Sequence, residues 1–519
     1  MVQLNKIEQI EQTAFEEEMT YEVAAVVKNV FTTQTGFSII KITDGKDYFS
    51  ITTADQVLLK TFNLKEDDVA FFSFKKTMYE GELQGKLVDI KECTGDVCDK
   101  LKEVTNKKKE EKQGRYEPKD TKLHCNTEKM NKLHESLVKV ATIIRKAAFE
   151  QRPIIISHHA DADGYAAGFL IENALLDLIK HRHKNVRFIG DFLQRNPSRT
   201  PYYDVVDATK DINFFLTKNE RNKLANPLLI ILDNGSTAQD LLSIQKVKTF
   251  GFDVVVVDHH DPGQLDEKNE SIICKEVIGH VNPHLHNLGH SLSASMISFE
   301  LSHLLNEHIT PMASLAAVGG VADKCEGEEI DFFIKESKQN RDELEKFALI
   351  VDFEIFQTKF NHAKSSLQEL LIGSQEVKNK LISLYQPLLD RYQEENKLVV
   401  KHYSEKEQAG KCSLFLLDGE KTTLWGDYFS LSKLAAITNK LNEETIPRVV
   451  LVHSEQVFVF RAEKGDLSFD VNVLVAELKK ELPHARVTGG GHAVAGSIKC
   501  IPAAKNEVLS YIKKYISLL

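Results

Sequence analysis

An apolar run that stops at a cluster of metal-ligand residue types, between residues 154 and 164, constrains this chain more than any other stretch. Its three consecutive β-branched residues, Ile154–Ile156, indicate a buried strand, and the apolar residues that follow the cluster have helical spacing. Asp161 and Asp163 can turn both carboxylates toward one cavity, while Gly164 lets the backbone turn sharply beneath them. Two acids this close would repel each other unless a cation lay between them. The stretch therefore predicts a metal site on a strand-to-helix turn, where open α/β sheets carry their sites.

The same arrangement recurs along residues 126–326, which we expect to form one α/β domain. Short apolar runs alternate there with longer helical segments, a pattern typical of a doubly wound parallel sheet. The predicted strands after the first are Val186–Gly190, Leu228–Leu232, Val254–Val257 and Val277–Val281. A helix preceding the first strand is predicted over Thr127–Phe149.

Metal-ligand types also follow three of the later segments. Asp233 follows one strand, Asp258-His259-His260 follows the next, and Asp323 follows a helical stretch over Ala313–Val321. One strand ending in Asp is usually a helix cap or a turn. Several such ends in one domain indicate a shared site, because parallel strands bring their carboxyl ends to the same edge of a sheet. The alternative, that the acids only cap loops and His259 is a core histidine, is common for any one of them and improbable for the set.

Residues 1–96 have a different pattern, with short alternating strands separated by turn signals such as Glu80-Gly81. The order resembles an OB-fold, a β-barrel that often binds single-stranded nucleic acid. Five aromatic residues could either stack on bases or fill the barrel, as small barrels require. These residues are Phe31, Phe37, Tyr48, Phe49 and Tyr79.

Residues 97–125 are charged and are expected to form a solvated linker or an exposed helix. Cys93, Cys98, His124 and Cys125 flank this segment and could in principle hold zinc. The spacing of the first two is loose and no second pair exists, so a zinc site is disfavoured. The seven cysteines are scattered, and no apolar run is long enough to span a bilayer, so the expected compartment is the cytoplasm, with no membrane partner.

Residues 327–404 are expected to form a helical connector, and residues 405–519 a smaller α/β lobe. Within that lobe, Gly489, Gly490, Gly491 and His492 precede a helix-compatible segment. Glycines at such a position let backbone N–H groups approach a phosphate closely, although a glycine run alone is often only a flexible turn. Arg461 follows a predicted strand. Two lobes facing each other across a cleft would hold an extended strand.

Taken together, these motifs resemble the DHH phosphoesterase superfamily, named for the motif matched here by Asp258-His259-His260. The resemblance implies that His159, Asp161 and Asp233 ligate one ion, and that Asp163, Asp233, His259 and Asp323 ligate another. It further implies that Asp258 orients an imidazole, that His260 faces the scissile phosphate, and that Arg461 and the GGGH motif bind substrate. Mixed imidazole and carboxylate ligands suit Mn²⁺, with Mg²⁺ as the competitor. Two such ions can activate water and neutralise phosphate oxygens, so phosphoester hydrolysis is the expected reaction.

Within the superfamily the chain resembles archaeal RecJ-like exonucleases, which implies a two-metal exonuclease that acts on single-stranded DNA or RNA in replication or repair. By analogy, GINS or another replication protein would be a partner. One alternative is an oligoribonuclease or cyclic-dinucleotide phosphodiesterase, which needs no strand-binding barrel. Another is a non-catalytic replication scaffold, although a scaffold has no need to keep acids that repel without metal. The formal net charge of -10 gives no global nucleic-acid signature, yet a local basic groove is compatible with it.

Overall fold

The chain divides into two compact units, Met1–Glu117 and Pro118–Leu519. They are described from a computed structural model covering residues 2–4, 6–13, 19–32, 37–79, 82–180, 189–198, 200–222, 224–358, 364–424, 428, 430–443, 445, 447–463 and 468–519. The predicted turn at Glu80-Gly81 lies outside these residues. Among the described helices, none has both the length and the apolar composition needed to cross a membrane. The predicted domain boundaries at residues 96, 125, 326 and 404 stay predictions.

The first unit contains a closed β-barrel, which confirms the predicted fold class for this part of the chain. Its strands are β1 (Val2–Leu4), β2 (Thr20–Thr32), β3 (Ser38–Thr43), β4 (Tyr48–Thr53), β5 (Val69–Tyr79) and β6 (Glu82–Glu92). Their order is β1-β2-β3-β4-β6-β5, and pairing of β2 with β5 closes the barrel. The helices of the unit are α1 (Glu8–Gln12), α2 (Gln56–Phe62) and α3 (Asp96–Tyr116).

Alternation along the barrel strands divides the aromatic residues between the core and the surface. Phe49 is buried and its ring lies 5.1 Å from that of Phe74, so it fills the barrel. Phe31, Phe37, Tyr48 and Tyr79 are all exposed. Stacking on bases stays a prediction for these four residues.

The charged segment after the barrel begins as helix α3, whose apolar residues pack on the barrel. Leu101 and Cys98 lie against Ala24 and Phe71. Cys98 is also joined to Cys93 by a disulfide bond. Neither thiolate is therefore available to zinc, so the disfavoured zinc alternative at these cysteines is excluded in this state.

The second unit begins with a parallel sheet that confirms the doubly wound prediction. Its strands are β7 (Ile154–His158), β8 (Leu193–Pro197), β9 (Leu228–Leu232), β10 (Asp253–Val257) and β11 (Gly279–Val281), in the order β11-β10-β9-β7-β8. The order reverses between β7 and β9. In open α/β sheets, ligands bind outside the carboxyl ends of the strands at such a reversal.

Side chains alternate between the two covered faces of this sheet. Ile154 and Ile156 pack in one core with the helix that follows β7, whereas Ile155 packs in the other. Leu232 and Ile231 divide in the same way. Because both faces are buried, β9 and the valines of β10 are continuously apolar, and the candidate ligands follow where these two strands end.

The surrounding helices are α4 (Glu128–Lys132), α5 (His134–Phe149), α6 (Ala162–Lys180), α7 (Ile189–Phe192), α8 (Val205–Asn222), α9 (Leu241–Thr249), α10 (Ala294–Leu305) and α11 (Ala313–Ala322). The predicted helix over Thr127–Phe149 is therefore interrupted at Leu133. The predicted strand Val186–Gly190 is wrong where it can be checked, since residues 186–188 lie outside the described residues and the next two begin α7. The strand in this part of the chain is β8, and its polar sequence Leu-Gln-Arg-Asn-Pro lacks the apolar pattern by which the other strands were predicted.

Helices connect this sheet to the second lobe. They are α12 (Glu328–Ser337), α13 (Arg341–Thr358), α14 (Lys364–Ile372) and α15 (Gln375–Tyr403). The second lobe contains β12 (Glu405–Ala409), β13 (Cys412–Asp418), β14 (Arg448–His453), β15 (Val457–Ala462), β16 (Thr488–His492) and β17 (Ala495–Lys499) in the order β12-β13-β14-β15-β17-β16. Its helices are α16 (Gly419–Thr422), α17 (Leu431–Leu441), α18 (Val471–Glu481) and α19 (Lys505–Ser517). The predicted smaller α/β lobe is confirmed.

A buried polar network holds the loop that follows β8. Asp211 accepts hydrogen bonds from Asn196 Nδ2 at 2.6 Å and from the Tyr203 hydroxyl at 2.8 Å. Asp240 accepts from the Tyr203 backbone N–H at 2.6 Å and from Thr237. Burial raises the pKa of Asp211 to about 7, since a buried carboxylate loses its hydration. The network ties the loop to two helices, at the cost of burying acids without a cationic partner in the bonds described.

Replacing Asp211 by asparagine should change how stability depends on pH. A carboxyl whose folded pKa of about 7 exceeds its unfolded value of 3.8 stabilises the fold below the unfolded value, and this contribution is lost as the pH rises through 7. The introduced amide cannot ionise; its oxygen can still accept from Asn196, and its NH2 group can donate to the Tyr203 hydroxyl oxygen instead of accepting from it. The free energy of unfolding of Asp211→Asn should therefore rise relative to wild type by up to about 4 kcal/mol between pH 4 and 8. Urea titrations across this range measure the difference; a constant offset, as expected for the exposed control Asp390→Asn, would contradict it.

Candidate metal centre

The turns after β7, β9 and β10 bring three groups of ligand side chains together at the carboxyl edge of the sheet. Within each group, one imidazole nitrogen or carboxylate oxygen per residue lies within 4.8 Å of the others. The groups are His159 with Asp161 and Asp233; Asp163 with His259 and Asp323; and Asp233 with Asp258, His259 and His260. All the predicted metal-ligand residues are thus assembled at one place, and their role as ligands stays a prediction.

Asp233 occupies the centre of this arrangement. Its Oδ2 lies 3.4 Å from His159 Nδ1, while its Oδ1 lies 3.1 Å from His259 Nε2. The outer members complete each side, with Asp161 Oδ2 2.9 Å from His159 Nδ1 and Asp323 Oδ2 3.1 Å from His259 Nε2. The backbone of Asp233 has a φ of 56°, an uncommon conformation for a residue other than glycine. The carboxylate therefore has one oxygen toward each group, as a ligand shared by two cations would.

The electrostatics of the cluster demand positive charge. Burial alone would lower the pKa of His159, but Asp161 and Asp233 raise it well above its ordinary value. The pKa of His259 is raised in the same way, against burial, by Asp233 and Asp323. Burial raises the pKa of Asp163 to about 6, and the charge of Asp233 adds to the effect. Protons on these groups would do what a bound cation does, which is to separate the carboxylates electrostatically.

Asp258 forms hydrogen bonds with the backbone of His259 and with the imidazole ring of His260. Its Oδ1 accepts from the His259 backbone N–H at 2.7 Å and lies 2.8 Å from His260 Nδ1. Its Oδ2 accepts from the Ser236 backbone N–H at 3.1 Å. Because the carboxylate is fully buried and engages both histidines, it fixes the ring of His260 relative to the turn. The role of Asp258 in orienting an imidazole stays a prediction.

Asp163 is held by the start of another helix. Its two oxygens accept the backbone N–H groups of Ala294 at 2.8 Å and Ser295 at 3.0 Å, in the first turn of α10. A Cβ at Gly319 would lie 2.2 Å from Asp163 Oδ1. The carboxylate is thus positioned by contacts from α10 and α11, while each oxygen keeps a lone pair that could bind a metal ion.

His158, which directly precedes the candidate ligand His159, is fully buried under the turn. Arg195 Nη1 lies 2.9 Å from its Nε2, and the Arg195 Nε donates to Glu172 at 2.7 Å. Burial lowers the pKa of His158 to about 3, and the guanidinium lowers it further. Since arginine can only donate, the Nε2 atom accepts and the Nδ1–H donates to the His159 carbonyl at 2.6 Å. The ring therefore fixes the backbone of a candidate ligand.

The candidate ligands face a cavity of about 850 Å³ that is also lined by the second lobe. Arg461, Asn472 and the glycines of β16 line it from that side. Arg461 Nη2 donates to Ser432 Oγ at 3.0 Å. The Gln239 side chain crosses from the first lobe and donates to the Gly489 carbonyl at 2.6 Å. Four of the five predicted substrate-binding residues therefore line the cavity, while the side chain of His492 is not described.

The predicted helix after the glycine run is wrong. Gly489–Gly491 lie in β16 at the edge of the sheet, and the residues that follow form the antiparallel partner β17. Their φ angles, between 137° and 152°, favour glycine, and a Cβ on Gly489 would meet the Ser497 carbonyl at 2.2 Å. The Gly489 and Gly491 carbonyls accept from Gln239 and Asn472, so they and their own N–H groups point away from β17. The backbone N–H groups predicted to donate to a phosphate would therefore lie on the edge of a strand and not at a helix terminus.

Three cavity residues, Tyr202, Gln239 and Asn472, were not predicted from the sequence. They are common residue types outside any ligand pattern. The Pro-Tyr-Tyr run in the loop after β8 was the only sequence signal for Tyr202. Because β8 itself was not predicted, this loop could not be placed at the sheet edge. His284, His286 and His290 do not line this cavity among the described residues; the first and last have ring nitrogens 3.3 Å apart.

An α/β fold of flavodoxin-like strand order, with clustered acids and imidazoles at its topological switch point, defines the class of this protein. Its residues 153–320 match the model of the DHH family, N-terminal domain. The chain is 30% identical to protein MJ1198 of Methanocaldococcus jannaschii over 98% of its own length and 70% of that protein. The chain belongs to the DHH family.

Solved structures agree with this fold. The DHH domain of PF0399, described as a member of a family of ribosomal proteins, is 30% identical with a TM-score of 0.75, over 81% of this chain and 99% of that one. RecJ from Thermus thermophilus, solved with Mn²⁺, is 15% identical with a TM-score of 0.53, over 78% of this chain and 56% of that one. At that identity the second match supports the fold alone.

Gly164→Ala should weaken metal binding at the cluster. A Cβ there would lie 2.3 Å from the His159 carbonyl oxygen, which is backbone and cannot move without displacing the His159 ring. We expect Mn²⁺ affinity, measured by isothermal titration calorimetry, to fall about 10- to 100-fold, as when ligand-orienting contacts are lost. Gly114→Ala is the matched control, since a Cβ there meets nothing within 4 Å. Unchanged affinity in Gly164→Ala would show that the turn does not position a ligand.

Proposed function

We propose that this protein is a two-metal-dependent exonuclease that hydrolyses phosphodiester bonds in single-stranded DNA or RNA. The observation that carries the proposal is the Asp233 carboxylate, which divides its oxygens between the His159 group and the His259 group. A carboxylate shared in this way is what a pair of neighbouring divalent ions requires. Membership of the DHH family and the RecJ-like fold support the same reaction class.

The residues present fit divalent metal ions. The three groups offer carboxylate oxygens and imidazole nitrogens, which are donor types that divalent ions take. His159, Asp161 and Asp233 would hold one ion, and Asp163, Asp233, His259 and Asp323 the other. Bound ions would supply Lewis-acid activation of water and neutralise charge on the phosphate. We infer Mn²⁺ as the preferred ion, with Mg²⁺ as the competitor, because the donor set mixes imidazole with carboxylate.

The remaining cavity residues would bind and orient the strand. Arg461 can pair with one phosphate of the strand, and the outward N–H groups of Gly489 and Gly491 can donate to the adjacent phosphate. His260 also lines the cavity, its Nδ1 is held by Asp258, and its ring would face the reacting phosphate. Substrate would therefore be held from both lobes, with the scissile bond at the acidic edge of the sheet.

Asp233→Ala should abolish Mn²⁺ binding to both groups and reduce strand cleavage below detection, because each side loses an oxygen ligand. The assay uses long single strands of DNA and RNA labelled at the 5′ or 3′ end, so it also gives the sugar preference and the direction. Short oligoribonucleotides and cyclic dinucleotides are tested in parallel. Cleavage of only the small substrates would replace the exonuclease with a small-substrate phosphodiesterase, and no cleavage of any would leave a scaffold.

Gly490→Ala should separate strand binding from metal binding. Its φ of 152° disfavours alanine, and the added Cβ would lie 3.0 Å from both Gln239 Nε2 and Asn472 Oδ1. We expect kcat/KM on long strands to fall about 10- to 100-fold through misplacement of the strand, with Mn²⁺ affinity unchanged. Equal loss of both properties would argue against a substrate role for the glycine strand.

A replication partner such as GINS is a further part of the proposal and rests only on the resemblance to archaeal RecJ-like proteins. A native pull-down with the full chain tests it. Recovery of no replication protein would count against this partner and would leave the proposed hydrolysis untouched.

A further inference from the structure

We propose that Tyr202, with Pro201 beside it, is the surface on which a nucleobase of the substrate stacks. The inference rests on the proposed function and adds to it a requirement on the substrate: the nucleotide entering the cavity must carry its base. A site that recognised only the phosphate chain would have no use for such a surface.

The position of Tyr202 is the first support. It lines the same cavity as the candidate ligands His159 and Asp161 and, on the other lobe, Arg461. Among the described residues that line this cavity, Tyr202 carries the only phenyl or indole ring. The residue is partly exposed, whereas its neighbour Tyr203 is completely buried. The core therefore uses Tyr203, whereas Tyr202 lies in the wall of the cavity.

The loop that carries Tyr202 is fixed on both sides. Before it, the Ser198 backbone N–H donates to the His158 carbonyl at 2.7 Å and so extends the pairing of β8 with β7. Within it, the Thr200 hydroxyl donates to the Tyr202 carbonyl at 2.7 Å. After it, Tyr203 is held through its backbone by Asp240 and through its hydroxyl by Asp211. A ring carried on a fixed backbone loses less conformational entropy when a ligand binds than one on a mobile loop, which favours a binding platform.

The chemistry of the ring suits a base rather than a phosphate. Burial raises the pKa of Tyr202, and the nearby Asp204 and Asp240 raise it further, so the phenol carries no charge at neutral pH. Every nucleobase has a π-face that can stack on such a ring, so the contact tolerates any sequence. The phosphate contacts lie elsewhere in the cavity, at Arg461 and the glycine strand. The division lets the cavity bind a nucleotide by its base on one wall and by its backbone on the other.

The test crosses Tyr202 variants with loss of the base. Wild type, Tyr202→Phe and Tyr202→Ala are assayed with Mn²⁺ on single strands that end in a normal nucleotide or in an abasic one, at either end. Tyr202→Ala should lower kcat/KM on the normal strand about 5- to 100-fold, the range for loss of one stacked base. Tyr202→Phe should stay within about twofold of wild type, because stacking needs the ring and not the hydroxyl. On the strand whose abasic end occupies the cavity, Tyr202→Ala and wild type should be equal.

Three results would overturn the inference: an equal loss for Tyr202→Ala on normal and abasic strands, a loss in Tyr202→Phe as large as in Tyr202→Ala, or no loss in either variant. Mn²⁺ affinity of each variant controls for damage to the fold at the site. Tyr403→Ala is the matched control for removing a tyrosine, since Tyr403 is exposed on α15 and does not line the cavity.

A binding measurement separates failure of this inference from failure of the proposed function. Strands ending in 2-aminopurine are titrated with each protein in the absence of added divalent ions, and the fluorescence quenching caused by stacking is measured. Quenching by wild type and Tyr202→Phe, lost in Tyr202→Ala, supports the stacking surface even if no strand is cleaved. Cleavage without quenching that depends on Tyr202 would overturn the stacking surface and leave the exonuclease in place.

Discussion

Repulsion among buried carboxylates is the constraint on which this site depends. Asp233 brings its two oxygens toward separate partners, and Asp163 and Asp323 add further negative charge on one side. Such an arrangement is unstable in a protein interior unless positive charge compensates it. Several local contacts hold these groups in place. The first turn of α10 holds Asp163, the buried His158 holds the turn at His159, and the buried Asp258 holds His259 and His260.

The sheet makes this concentration of charge possible. Its strands β7, β9 and β10 are largely apolar on both faces and are followed directly by the candidate ligands, and parallel pairing places those strand ends together. The reversal of strand order between β7 and β9 opens a crevice there, and the second lobe covers it with the glycine strand and Arg461. The fold thus separates two tasks, since the first lobe concentrates acids and the second presents hydrogen-bond donors.

How far the sequence predicted this arrangement depended on whether each feature has a local signal. The runs Ile154–Ile156 and Leu228–Leu232 reveal their strands, because burial on both faces makes them apolar throughout. Their ligand residues follow at once, so the site could be placed at the sheet edge. Strand β8 was missed because its Gln194, Arg195 and Asn196 make polar contacts inside the fold, which periodicity does not detect. The glycine strand was misread because close approach to β17, rather than a helix terminus, explains its composition. Tyr202 and Gln239 gain their significance only from tertiary position.

The attachment of the two lobes is uneven. Near the connector, the Lys433 ammonium lies 2.9 Å from the Asp352 carboxylate, and the Tyr428 hydroxyl bonds the Leu349 carbonyl from within the apolar core. At the mouth of the cavity, the side chain of Gln239 reaches Gly489 from an exposed position. An exposed hydrogen bond exchanges with water for a net cost of about 1 kcal/mol, whereas parting a buried polar contact leaves groups unpaired. The two lobes are therefore held strongly near the connector and weakly at the mouth of the cavity. A separation of the lobes should begin at the hydrogen bond between Gln239 and Gly489.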